Sequence, residues 1–272
     1  MRYTQGRAMS ETAATPKPAA TILLLRPGNK SLEVFMVVRH HQIDFASGAL
    51  VFPGGKADPQ DFEDSLIPHL QGAADDTDMR AAQVSAIREA FEECGILLAR
   101  EVGSDDIISA ERLQSLQEQR EPMNKGEVTL LEFLQNEQLV LACDELTHFA
   151  HWITPPMMPK RFDTHFYLAI PPADHIAVHD GYESVDSVWI DPADAISGAQ
   201  SGTYTIIFPT LRNIEKLATW STPESAVEAA QNTTPVPVLP WTEKRDDGQY
   251  LCIPVEAGYA ISEEKMPERP AK

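Results

Sequence analysis

Basic residues are scarce in this chain. Its 272 residues include 22 lysines and arginines against 41 aspartates and glutamates, a formal net charge of −19. That balance excludes a protein that holds nucleic acid by neutralising phosphates, and equally a polybasic membrane anchor. Cysteine is rarer still: Cys94, Cys143 and Cys252 are far apart and odd in number. They form no CxxC pair and suggest no disulfide framework, which points to a reducing, cytoplasmic setting. No apolar run approaches the roughly 18 residues needed to span a bilayer. The opening MRYTQGRAMSETAATPKPAA lacks the apolar stretch of a secretory signal and reads as a flexible tail. The final RPAK does not match the peroxisomal Ser-Lys-Leu address, and the sequon at Asn232 has no other sign of secretion beside it.

What is present suits a protein with a buried core, since 43% of residues are hydrophobic. AATILLLRP and LEVFMVVRH read as strands joined through the turn residues PGNKS into a hairpin, and GALVFPGG is a third apolar run closed by two glycines. From Lys56 to about Asp78 the chain turns acidic and irregular, as a loop or inserted segment would. A helix is expected from about Met79 to Cys94, with Asp76, Thr77 or Asp78 as N-cap. Helical stretches follow at SAERLQSLQEQR and GEVTLLEFLQNEQL, then strands at RFDTHFYLAIP, HIAVH and SVDSVWI, and a helix at FPTLRNIEKLATW. Beyond Pro223 proline and alanine dominate, and WTEKRDDGQYLCIPV forms a late hairpin around Asp246-Asp247-Gly248. Strands mixed with helices of these lengths indicate an α/β or α+β sandwich.

The segment AIREAFEECGIL carries the chemistry. On a helix, Ile87, Ala90, Phe91 and Cys94 share an apolar face, while Glu89, Glu92 and Glu93 fall at i, i+3 and i+4 on the opposite one. The plain reading is the wet side of an amphipathic helix. Three features oppose it. The carboxylates repel one another, and they sit at the helix end where the dipole penalises them by about 0.3–1 kcal/mol each. No lysine or arginine follows three or four residues later, and Arg88 could meet Glu92 only in the weaker orientation. Such a cluster calls for a counterion, and hard carboxylate oxygens suit Mg²⁺, Mn²⁺ or Ca²⁺.

REAFEECGI (Arg88 to Ile96) resembles the second half of the Nudix box, R-E-U-x-E-E-x-G-U with U a bulky apolar residue, and FPGG (Phe52 to Gly55) resembles the run that opens it. The usual box places its opening glycine 14 positions before the arginine. Here 88 − 55 = 33, so the box is split by 19 extra residues. The usual first glutamate, eight residues before the arginine, finds Arg80 in its place and has no assigned counterpart. A split box is similar to the branch typified by the mammalian peroxisomal coenzyme A diphosphatase and its bacterial relatives. RFDTHFYLA, HDGYESVDSVWIDPADAI and FPTLRNIEKLA look like that branch as well. Its coenzyme A signature is partial: Arg39, Gly48 and FPGG match, but His40 and Asp44 replace the expected small residue and arginine.

The resemblance implies an α+β fold, the Nudix α/β/α sandwich with a mixed β-sheet and an extra helical insertion. It also implies a domain over about residues 19–220 with insertions near 57–77 and 104–148, after a tail at 1–18 and before a proline-rich extension at 221–272. The implied activity is metal-dependent hydrolysis of a diphosphate linkage in a nucleoside diphosphate derivative, with coenzyme A or acyl-CoA as the leading substrate. Competing readings are a diphosphatase for ADP-ribose, NADH or dinucleoside polyphosphates, and a non-catalytic nucleotide-sensing domain. Glu92 and Glu93 would bind Mg²⁺ or Mn²⁺, and Glu89 would be a ligand or the general base oriented by Arg88. The Gly55 carbonyl would complete the site with an acid from a later loop, Glu183 first and Asp186 second. Gly54 admits close backbone approach, and Lys56 and Arg39 are candidates for substrate phosphate. The partner is a small molecule rather than nucleic acid or membrane, and family members are often homodimers. The paired histidines, His148/His151 among them, read as ordinary. Arg161 and Asp163 read as an ion pair of the fold, or else as groups lining the substrate.

Overall fold

The computed structural model describes residues 14–39, 48–177 and 184–266. In chain order, β1 (Lys17–Pro27), β2 (Leu32–Arg39), β3 (Leu50–Val51) and β4 (Gly54–Lys56) come first. After two 3₁₀ turns come β5 (Leu70–Gln71), α1 (Thr77–Cys94), β6 (Ala99–Glu101), α2 (Ala110–Leu116), α3 (Arg120–Asn124), α4 (Leu130–Glu137) and β7 (Leu139–Ala142). Then follow β8 (Thr147–Ile153), β9 (Phe162–Ala169), β10 (Ser184–Ile190), α5 (Pro192–Ser201), α6 (Phe208–Leu217) and α7 (Pro223–Gln231). The chain closes with β11 (Pro237–Val238), β12 (Trp241–Arg245), β13 (Gly248–Cys252) and β14 (Glu263–Lys265).

The main sheet runs β10-β2-β1-β9-β8-β11, with β3 added to β2 and β4 to β1. It is mixed: β1 and β9 are parallel, while β1 meets both β2 and β4 antiparallel. β1 is the spine, and its pleat sends Ala20, Ile22 and Leu24 into one core and Leu23 and Leu25 into the other. The first core is closed by α1 with α2, α3 and α4, the second by α5, α6 and α7. The fold is therefore the expected α+β sandwich, helices over both faces of a mixed sheet. Each fully buried leucine or isoleucine of β1 contributes about 1.5–3 kcal/mol.

β1 changes partner along its length, and this change makes room for the site. Leu25–Pro27 pair with β2, whereas Ala19–Thr21 pair with Gly54–Lys56 of β4. β4 is thereby slotted beside β1 beneath the C-terminal half of α1. The segments 57–77 and 104–148 meet on the same side, where β5 and β6 flank β7 in a small sheet and Gln60 Oε1 accepts from the Leu130 amide at 2.9 Å.

Two expectations change. HIAVH is not a strand over its described part: the His175 amide donates to the Pro172 carbonyl at 3.0 Å, closing a turn that two prolines favour. The proline- and alanine-rich stretch after Thr222 contains a helix, α7, started by a Thr222 capping box and Pro223. The hairpin of β12 and β13 turns through Asp246-Asp247, with Arg245 opposite Gly248, as expected. No helix among the described residues is long and apolar enough to cross a membrane.

Candidate active site

Helix α1 starts where Asp76 accepts the Met79 amide at 2.9 Å and ends at Gly95, whose φ of 70° supplies the left-handed cap. Its apolar face, Ile87, Ala90, Phe91 and Cys94, is fully buried as expected. The opposite face is not a wet one: Glu92 and Glu93 are only 8% and 7% exposed. Buried carboxylates need partners, because desolvation alone disfavours their charge.

Arg88 supplies the principal one. Its guanidinium forks onto Asp61 (Nε–Oδ1 and Nη2–Oδ2, both 3.0 Å), reaches Glu92 Oε2 at 2.7 Å and Glu89 Oε1 at 3.0 Å, and donates to the Lys56 carbonyl at 3.2 Å. The i,i+4 pairing that is weak on an exposed helix is thus made inside the protein, as one arm of a wider network centred on Arg88. Burial opposes charge on Arg88, but Glu89, Asp61 and Glu92 together outweigh it and hold the guanidinium protonated. Burial also pushes the Glu92 and Asp61 carboxyls above their ordinary range, against the pull of Arg88.

Asp61 corrects the sequence reading. Counting back eight residues from the arginine gave Arg80, which instead binds Asp64 and the Asp75 carbonyl at the start of α1. Counting forward from the opening glycine, where the usual acid lies 14 − 8 = 6 residues on, gives 55 + 6 = 61. The insertion therefore follows the first acid of the box, and the acid is an aspartate.

Gly54 and Gly55 form the floor. The Gly54 amide donates to Glu93 Oε2 at 3.0 Å. A Cβ on Gly55 would lie 2.5 Å from Glu89 Oε1, and one on Gly54 would lie 2.4 Å from the Ala20 carbonyl, so neither position admits a side chain without displacement. The floor, helix and network bring Gly54, Gly55, Asp61, Arg88, Glu89, Glu92 and Glu93 together. Lys56 joins through its carbonyl, while its side chain is exposed.

The C-terminal end of α1 has its own counter-charge. Arg120 of α3 donates from Nε and Nη2 to the Glu92 carbonyl at 3.3 and 3.0 Å, and Gln117 donates to the Gly95 carbonyl at 3.0 Å. These bonds satisfy carbonyls that a helix leaves orphaned and set a cation against the negative end of its dipole. Nothing local in the sequence marks Arg120, because it comes from 28 residues away.

Other expected residues fall elsewhere. Glu183 lies outside the described residues, as do His40, Asp44 and His179. Asp186 is exposed on β10 and accepts the neighbouring Ser187 amide. Arg39 ends β2 opposite Ser184. Arg161 and Asp163 are not an ion pair: Arg161 binds the Thr154 and Ala14 carbonyls, whereas Asp163 meets His151 Nε2. Burial and neighbouring imidazoles hold His148 and His165 down to about 4, with Asp163, Asp76 and Asp78 pulling His165 the other way.

A divalent cation fits this donor set. The grouped donors are hard oxygens, the Gly55 cradle is one that a Cβ would fill, and burial pushes the Glu92 carboxyl up, a cost that a cation beside it would offset.

Residues 71–217 match the family model for the NUDT19 Nudix domain. Acyl-coenzyme A diphosphatase NUDT19 of Xenopus laevis is 23% identical over 225 residues, which cover 68% of this chain and 59% of that protein. Putative nudix hydrolase 7 of Caenorhabditis elegans is 26% identical over 204 residues, covering 74% and 60%. The chain thus spans about three-fifths of the length of these curated relatives. A crystal structure of a NUDIX hydrolase from Alicyclobacillus acidocaldarius aligns over 82% of this chain and 98% of its own, with 28% identity and a TM-score of 0.63. With the split box, the sandwich and the glutamate-lined floor in agreement, the chain belongs to the NUDT19-type family of Nudix hydrolases.

Proposed function

We propose that this protein is a Mg²⁺- or Mn²⁺-dependent diphosphatase acting on coenzyme A or an acyl derivative of it. The observation that carries the reading is the Glu89 carboxylate lying directly over Gly55, with Glu92 and Glu93 on the same helix end. Glu89, Glu92 and Glu93 would hold the cation, with the Gly55 carbonyl and Glu183 completing its shell. When bound, it would neutralise the phosphate oxygens and acidify a water.

The chain's own residues do the rest. Arg88 fixes the Glu89 and Glu92 carboxylates in place, so they need not reorganise as charge moves to phosphorus. Glu89 is the candidate base that takes the proton of the attacking water, since it is the least enclosed of the three and borders the floor. Gly54 and Gly55 let a diphosphate approach the backbone, and Arg39 and Lys56 are candidates for its outer charges. The relative from Xenopus laevis is named for acyl-coenzyme A, which favours that substrate class here. The buried, unbridged cysteines accord with a cytoplasmic setting.

The test is a panel of diphosphates incubated with Mg²⁺ or Mn²⁺, with products identified by mass spectrometry and Glu92→Gln run beside the wild type. Formation of 3′,5′-ADP and a phosphopantetheine is expected, with a loss of at least about 10²-fold in the variant. AMP from ADP-ribose, NADH or a dinucleoside polyphosphate would replace the substrate assignment. Tight nucleotide binding without cleavage would make the domain a sensor.

A further inference from the structure

The glutamate floor is not the only group of ligand-type side chains on the α1 face of the sheet. On β8 and β9, one ligand atom each from His151, Asp163 and His165 lies within 4.8 Å of the others. His151 Nε2 contacts Asp163 Oδ1 directly, and the His151 and His165 rings stack with centroids 4.1 Å apart. His148 Nε2 sits 3.0 Å from His165 Nδ1. That contact engages His165 Nδ1, so Nε2 is the nitrogen assigned to the ion. Such an arrangement, with the far nitrogen held by a second side chain, is how ligating histidines are usually oriented.

We propose that His151, Asp163 and His165 form a second cation site, for one divalent ion of the zinc class. Two imidazoles and a carboxylate suit Zn²⁺ better than Mg²⁺, which prefers oxygen and a near-complete water shell. Metal–ligand lengths of about 2.0–2.1 Å require ligand atoms roughly 3.3 Å apart. The ligand atoms already lie within 4.8 Å of one another, so closing onto an ion takes a side-chain adjustment of at most about 1.5 Å. All three side chains are partly accessible, which gives the ion an entry path and leaves a fourth position for water.

The site is separate from the glutamate floor. Strand register places Gly55 opposite Ala20, Ala20 opposite His165, and His165 opposite His151. Two strand spacings, about 10 Å, therefore lie between Gly55 and His165. No ligand is shared, so variants separate the two sites, and the inference stands whether or not the diphosphatase reading holds.

The test uses the full chain stripped with EDTA and titrated with Co²⁺, a spectroscopic stand-in for Zn²⁺, followed by Zn²⁺ competition. Wild type and the Glu92→Gln/Glu93→Gln double variant should each bind one Co²⁺ with the visible absorption of imidazole ligation, displaced by Zn²⁺. His165→Gln and Asp163→Asn should weaken that binding by at least about 10-fold. Asp163 has a 41% exposed side chain, so its variant keeps the test valid if the histidine variant misfolds. No saturable absorption up to about 1 mM Co²⁺ would overturn the proposal. So would absorption that disappears in the glutamate variant but persists in His165→Gln and Asp163→Asn.

Discussion

Helix α1 lies beside two groups of ligand-type residues, one at each end, and they solve opposite problems. At its C-terminal end, carboxylates sit where the dipole is negative; near its N-terminal end, imidazoles sit where it is positive. Arg88 pairs with Glu89 and Glu92 and pulls Glu92 towards ionisation against its burial, with Arg120 set against the helix end behind them. Burial and neighbouring imidazoles instead keep His148 and His165 neutral, although Asp163, Asp76 and Asp78 draw His165 towards protonation. Charge placed against a dipole survives only with a counter-charge, and where none dominates the group gives up its charge.

The carboxylate end depends most on one residue. Arg88→Ala leaves Asp61 and Glu92 buried without their partner, so a loss of about 3–5 kcal/mol in unfolding free energy is expected from urea denaturation. Asp61→Asn should be milder in stability yet still lower kcat, because the fork that aims Arg88 loses one acceptor. If Arg88→Ala costs under about 1 kcal/mol, the network is not what holds the carboxylates. Next in size is Gly55→Ala, whose methyl would lie 2.5 Å from Glu89 Oε1. Overpacking of that kind costs about 1–3 kcal/mol, and displacing Glu89 should reduce turnover more than substrate affinity. Unchanged kcat in Gly55→Ala would remove Glu89 from the chemistry.

The sequence told much about this end and little about its support. The helix, its Asp76 cap and the spacing of three glutamates are local patterns, and local patterns can be read in order along a chain. Asp61 was hidden by the direction of counting: the insertion moved it away from Arg88 in sequence but not in space. Arg120 was hidden for a different reason, since a guanidinium that caps a helix 28 residues upstream leaves no local trace. Strand β8 escaped because its register shifts between His148 and Ala150, and the shift buries Phe149 and Ala150 in succession and breaks the alternation that marks a strand. The imidazole group escaped with it, because pairing His151 with His165 requires the register of both strands. Helices α5 and α7 did carry readable starts, Asp191-Pro192 and Thr222-Pro223, within stretches whose composition drew attention elsewhere.

A smaller effect tests the support itself. Arg120→Ala removes both bonds to the Glu92 carbonyl and the cation at the helix end, for an expected loss of about 1 kcal/mol. Its two bonds hold the backbone of Glu92 in place beneath the carboxylate floor, so kcat should fall while KM stays near its wild-type value. Arg120→Lys should recover part of the stability but less of the rate, because a point charge does not reproduce the two-pronged contact.

The smallest effect belongs to the imidazole end and separates the two solutions by pH. His148 and His165 titrate near 4 in the folded chain and near 6.5 when unfolded. Below about pH 6.5 the unfolded state therefore binds more protons, and stability falls as pH drops from there towards 4. The groups that face His165 set the sign: burial and His151 disfavour its proton, and Asp163, Asp76 and Asp78 favour it without prevailing. Urea midpoints of EDTA-treated protein should decline across that window, and the decline should be shallower in His165→Gln at unchanged denaturant dependence. An identical slope in the variant would mean that the acid sensitivity arises at the carboxylate end instead, where protonation of Glu92 and Asp61 would dismantle the Arg88 network.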